Sequence, residues 1–169
     1  DEGPRSSAYL MNGMGRVRFP VTTPVQEAQL FFTQGIAQLH GFWYFEAERS
    51  FRQAAMLDPN CAMAYWGMTM ANTGNDKRAK AFIAEAVKRK EKVSEREKMY
   101  IDGLNAYIQA GKSKKKDRAQ KYTKSLERLI YEYPDDLDAK AFLALQMWKN
   151  RSNDIPISSY LAIDALLQQ

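Results

Sequence analysis

Apolar and polar positions follow two different periods along this chain. From residue 25 onward the apolar residues recur at steps of three and four, the spacing of one helix face. Before that, Val17, Phe19 and Val21 alternate with Arg18 and Pro20, as in a short extended segment. Gly13, Gly15, Pro20 and Pro24 break any helix there, so residues 1–24 read as an irregular arm that needs something to lie against. Stop and start signals divide the remainder into eight helices. Thr23-Pro24 offers a capping hydroxyl and a first-turn proline, and predicts a helix over 25–40 that Gly41 ends. The second helix covers 44–57 and stops at Asp58-Pro59; the third covers 61–73 and stops at Thr73-Gly74-Asn75; the fourth covers 76–92. Ser94-Glu95-Arg96-Glu97 has the spacing of a capping box and starts a fifth helix that ends near Gly111. A sixth over 116–133 stops at Pro134, and Asp135-Asp136 with Asp138 suits the capped start of a seventh over 136–149. Pro156 opens an eighth that runs to the last residue.

A second, longer period overlies the helical one. Phe31, Tyr65 and Met99 are thirty-four residues apart, as are Gly35, Thr69 and Gly103, and Ala28 with Ala62. The first copy contains Phe31, Gln34-Gly35, Ala47, Phe51, Ala54 and Asp58-Pro59. In this it resembles the tetratricopeptide repeat, with its aromatic, its first-helix glycine, its second-helix alanine and phenylalanine, and its closing proline. The second copy is the weakest, with Glu85 and Lys88 where Phe51 and Ala54 stand in the first. Pro59 and Pro134 are 75 residues apart, two repeats plus seven, and the surplus fits the Gly111–Asp117 loop. The resemblance implies an all-α, right-handed α-solenoid of antiparallel helix pairs over residues 25–169. It would hold about three and a half to four repeats, preceded by the arm.

The stretch Ala28 to Asn72 also resembles a group of bacterial, exported tetratricopeptide-like proteins. These share a Gly-rich arm (here Gly13 to Pro20), an Ala28-to-Gly35 helix, a Gly41-Phe42 turn, an Ala47-to-Ala55 helix and an Asp58-to-Gly67 segment. That group implies an extracytoplasmic location and a role in handling a small ligand or metal. The arm stretch where members carry histidines reads Arg16-Val17-Arg18-Phe19 here.

Repeats of this kind bind partners more often than they catalyse reactions, and their inner wall is built from the first helix of each pair. The repeat register projects onto that wall Phe32, Ile36 and His40, then Met63, Trp66 and Met70, then Tyr100, Leu104 and Tyr107, then Leu145 and Trp148. Such an apolar, methionine-containing groove suits an extended or helical hydrophobic peptide. It lacks the lysine and asparagine ladder that clamps an acidic chain terminus: Phe32 and Ile36 stand in the first of those places. The same stripe is also what a plain helical core looks like. An open groove of this kind would be sticky, so Val17-Arg18-Phe19-Pro20 or the final helix is a candidate to fill it from within.

Length, charge and residue chemistry narrow this picture. A chain of 169 residues is one domain by length. Its net charge of +5 is too small to point to nucleic acid by itself. No apolar run reaches the roughly 18 residues that span a membrane. Cys61 is the sole cysteine, so no internal disulfide forms; at a helix start its thiol is either acidified or simply packed in the turn. His40 is the sole histidine and makes no zinc site with Cys61. The lysine-rich stretch from Lys112 to Lys124 reads as a solvated face, and Lys77 to Lys98, interleaved with Glu85, Glu91, Glu95 and Glu97, as a face of ion pairs. Nucleophile, phosphate-loop and metalloprotease motifs are missing, so no catalytic residue, metal or cofactor is expected. The last helix, Tyr160 to Leu167, is apolar on nearly every side, which predicts further repeats or pairing with another subunit at that end. The expectation is a protein-interaction module for a protein or peptide. Its alternatives are an assembly domain with a self-filled groove, or a small-ligand or metal handler.

Overall fold

The computed structural model describes residues 3–111, 114–153, 155–156 and 160–168. The fold is all-α. Its helices are α1 (Gln26–His40), α2 (Tyr44–Leu57), α3 (Ala62–Ala71), α4 (Asp76–Arg89), α5 (Glu95–Gln109), α6 (Lys115–Glu132), α7 (Leu137–Asn150) and α8 (Tyr160–Leu167). Short 3-10 turns follow α4 at Lys90–Lys92 and α7 at Arg151–Asn153. The arm runs from residue 3 to 24 without regular structure. The chain divides into two compact units, Asp1–Ile101 and Asp102–Gln169, and the boundary falls within α5.

In the first unit α1 packs on α2, α2 on α3, α3 on α4, and α1 also touches α3. Phe51 of α2 is the keystone of that packing. A Cβ added to Gly35 of α1 or to Gly67 of α3 would fall 2.5 Å from its ring, so both neighbouring helices need glycine there. A buried polar chain runs beside the ring: Gln34 Nε2 donates to Ser50 Oγ at 3.0 Å, and Ser50 Oγ donates to Gln38 Oε1 at 2.7 Å. Glu48, 4 % exposed, ties three helices together by accepting from Arg52 of α2, from Asn72 after α3, and from Arg78 of α4. Burial alone would raise this carboxyl, but the hydrogen bonds from Asn72, Arg52 and Arg78 outweigh it and hold it below the usual carboxylate range.

In the second unit α6 packs on α7 and α7 on α8. Gly103 of α5 admits Ser125 of α6, Tyr107 lies 5.2 Å from Tyr122, and Arg118 sits 4.5 Å over the Tyr107 ring. Burial pushes the Tyr122 phenol well above its ordinary range.

Most helix limits fall within a few residues of the sequence expectation, and the differences have local causes. The capping box forms in full: Ser94 Oγ accepts from the Glu97 amide while Glu97 accepts from the Ser94 amide. Asp136 caps α7 through the Ala139 amide, and Asn75 caps α4 through the Arg78 amide. Thr23 does not cap α1. Its hydroxyl accepts from the Val25 amide and donates to Asp58 at 2.6 Å, and α1 begins one residue later at Gln26. At the other end of α1 the left-handed residue is Phe42, with φ of 61°, while Gly41 keeps an ordinary φ of −79°. α3 ends at Ala71, two residues short of the expected limit, because Asn72 turns its side chain to Glu48 and to the Met68 carbonyl. α8 begins at Tyr160; residues 157–159, expected within it, lie outside the described residues.

Candidate functional site

The stripe of expected groove residues is covered within the first unit. Phe32, Ile36, Met63 and Trp66 are wholly buried and Tyr100 is 3 % exposed, while His40 and Met70 are half-buried. Over Phe32, Trp66 and Tyr100 the cover is the arm. Phe19 is 1 % exposed and sits among three rings at centroid distances of 5.3 Å to Phe32, 6.0 Å to Trp66 and 5.2 Å to Tyr100. The Phe32 contact is edge-to-face, an arrangement that the ring quadrupoles favour. Arg96 closes the seat with its guanidinium 4.2 Å over the Phe19 ring and 5.1 Å over Tyr100. Trp66 Nε1 donates to the Tyr100 carbonyl at 3.2 Å, which fixes the seat's wall across residues 34 apart.

Polar side chains hold the arm by its backbone. Gln29 of α1 accepts from the Val21 amide at 2.9 Å and donates to the Phe19 carbonyl at 2.9 Å. Gln34, one and a half turns further on, does the same upstream: it accepts from the Met11 amide at 2.7 Å and donates to the Tyr9 carbonyl at 3.0 Å. Each carboxamide thus reads the N–H of one residue and the C=O of the residue two before it. That is how a side chain grips an extended strand without regard to its sequence. Glu97 adds a charged grip. It is 2 % exposed and accepts from the Thr22 amide at 2.7 Å and the Thr22 hydroxyl at 2.5 Å, besides both groups of Ser94. A buried carboxylate needs such a set of donors, and the first turn of α5 favours its charge.

The other expected groove residues belong to the second unit. Leu104 is buried, Tyr107 and Leu145 are half-buried, and Trp148 is 64 % exposed. Cys61 is wholly buried at the start of α3, and burial raises its thiol from an ordinary 9.0 to about 11, so the packed-turn reading is the one realised. Among the described residues no group of three His, Cys, Asp or Glu is placed to hold a metal. No helix of the described residues is long and apolar enough to cross a membrane. Of the lysine-rich stretch, Lys112 and Ser113 lie outside the described residues; Lys115 and Lys116 are exposed and Lys121 pairs with Asp117 at 3.0 Å. The Lys77–Lys98 face carries the expected ion pairs, Lys88 and Arg89 with Glu85 and Lys98 with Glu95.

Sequence reasoning assigned the hydrophobic stripe and suspected the arm, but missed Gln29, Gln34 and Glu97. The only signal for them was polar side chains on or beside an otherwise apolar helix face. The aromatic turn after Gly41 is exposed, with Phe42, Trp43 and Phe45 each more than half exposed. No family model matches the chain, and neither curated proteins nor solved structures show a significant similarity to it.

Proposed function

We propose that this chain is a tetratricopeptide-like interaction module, non-catalytic, whose aromatic seat receives an extended segment and whose own arm is the resident occupant. The helix pairs are read as stacked repeats because Phe51 packs between Gly35 and Gly67, the equivalent helices of successive pairs. The observation that carries the binding reading is the way the arm is held. Phe19 is a single anchor in a preformed ring of aromatics, and Gln29 and Gln34 grip the backbone around it. Those are the two components of recognition for an extended peptide: main-chain hydrogen bonds for affinity and a pocket for selectivity. The favoured ligand is therefore an extended segment with an aromatic anchor, a following proline and a hydroxyl residue three places on, as in Phe19-Pro20-Val21-Thr22.

A second reading has its own support. Glu97 both caps α5 and ties down Thr22, so the arm is joined to a group that the fold itself uses. In that reading the arm is a permanent part of an assembly domain. One experiment separates the two. A fluorescent peptide of residues 14–24 is titrated into the full chain carrying Phe19→Ala, which loosens the resident arm. Saturable binding that is lost when Trp66→Ala is added supports exchange. No binding to a chain that circular dichroism shows to be folded leaves the structural reading. The apolar α8, with Tyr160 and Leu161 exposed, is the surface on which pairing with a second subunit would be built.

A further inference from the structure

A separate cavity lies on the other side of α2, independent of the aromatic seat. Its volume is about 490 Å³, within the range of small-ligand sites. One wall is the start of the arm with Arg5; the others come from α2, α3 and α4. Arg5, Arg49 and Arg52 line it, and among the described residues lining it none is acidic. Tyr65 and Phe82 also line it, with Arg89 4.2 Å over the first ring and Arg52 and Arg78 each 5.4 Å over the second.

The arginines are held in place from behind. Arg49 donates to Glu46 at 2.9 Å and to the Ser6 carbonyl at 3.2 Å, so it fixes the arm wall. Arg52 gives its Nε to Glu48 at 2.7 Å, lies 5.4 Å over the Phe82 ring, and finds no acceptor for its terminal nitrogens among the described residues. Glu48 is shared with Arg78, so one buried carboxylate answers two guanidinium groups. The site therefore offers a fixed guanidinium with spare donors, a described lining without an acidic residue, and aromatic walls. We infer that it binds a small organic anion: a phosphate or carboxylate group turned to the terminal nitrogens of Arg52, and an apolar body beside Tyr65 and Phe82. Guanidinium groups bind such anions through paired, charge-assisted hydrogen bonds.

The test is calorimetric titration of the full chain at low ionic strength with phenyl phosphate, beside inorganic phosphate and phenol as its two halves. Phenyl phosphate should bind saturably and more tightly than either half. Arg52→Met keeps an aliphatic stem on Phe82 and leaves Glu48 its bonds from Arg78 and Asn72. It should weaken binding by about tenfold or more, as the loss of a charge-assisted pair requires. Arg52→Lys, which keeps the charge but loses the paired donors, should also weaken binding. No saturable binding would overturn the inference, as would binding unchanged in both variants. Inorganic phosphate binding as tightly as phenyl phosphate would overturn the apolar half of the assignment.

Discussion

At the scale of the residue, the sharpest constraint is the space around Phe51. Its ring leaves no room for a side chain at Gly35 or Gly67, because the nearest ring atoms would stand 2.5 Å from a new Cβ. Both glycines sit in helix interiors, where alanine would ordinarily be preferred by about 1 kcal/mol. A helix-propensity argument alone therefore predicts that Gly35→Ala stabilises. Overpacking of a filled core costs about 1–3 kcal/mol and opposes it. The ring is held from both sides and has little freedom to retreat, so the steric cost wins. Gly35→Ala should lower stability by about 1–2 kcal/mol in urea unfolding, and Gly35→Ala with Phe51→Leu should recover part of that loss. A stabilised single variant would show that the ring moves freely. Gly35 and Phe51 both stood out in the sequence as pattern residues of the first two helices, but their contact did not, because the spacing of two residues on different helices does not say that they touch.

At the scale of the element, the arm carries the question of function. Without the arm, Phe32, Trp66 and Tyr100 would have no ring between them and Gln29 no backbone to grip. Phe19→Ala removes the anchor and leaves the polar grips, so its effect measures how much the seat contributes. Truncating a buried phenylalanine costs about 3–5 kcal/mol in a closed core. An arm can lift away instead of leaving a cavity, so the expected loss is at the lower end, about 3 kcal/mol. Hydrogen exchange should show the Val21 and Thr22 amides becoming unprotected while amides within α2 keep their protection. Loss of protection throughout the first unit would instead place Phe19 in the cooperative core. The helices themselves were legible because capping residues, glycines and prolines act locally. The destination of the arm was only half legible. Alternation at Val17, Phe19 and Val21 announces an extended segment with a buried face, but nothing local says which surface receives it. Glu97 shows why: three residues after Ser94 it reads as the acid of a capping box, which it is, and that local explanation hides its second pair of bonds to Thr22, 75 residues away. Likewise a stripe of Phe32, Ile36 and Trp66 has the same helical spacing whether a partner, the solvent or the chain's own arm lies on it.

At the scale of the whole molecule, the buried ionisable groups make stability depend on pH in a different way in each unit. In the first unit Cys61 has its thiol raised from an ordinary 9.0 to about 11 by burial. The folded state keeps its proton longer than the unfolded chain does, so its contribution is complete below about pH 9 and is lost as pH rises toward 11. The loss by pH 11 is about 2 kcal/mol. Tyr44 is raised as well, but it stands more than a third exposed and water screens it. Glu48 acts at the other end of the scale. Its carboxyl is held low when folded, so its contribution is present above the ordinary glutamate range and is lost as pH falls through the lowered value. In the second unit two groups oppose each other. Tyr122, raised by burial, withdraws stability as pH climbs past its ordinary 10.0. Lys149, lowered by burial, restores some over the window below its ordinary 10.5, because the unfolded chain holds that proton longer. Between pH 9 and 11 the first unit should therefore weaken more than the second. Urea unfolding at pH 7, 9 and 10.5 would measure this, with hydrogen exchange assigning the loss to residues before or after Ile101. Cys61→Ala removes the titrating thiol, so it should flatten the alkaline slope of the first unit even though it lowers stability at pH 7. A slope unchanged in that variant would mean that the thiol reaches solvent before the unit unfolds, and rapid labelling of native Cys61 at pH 8 would then accompany it.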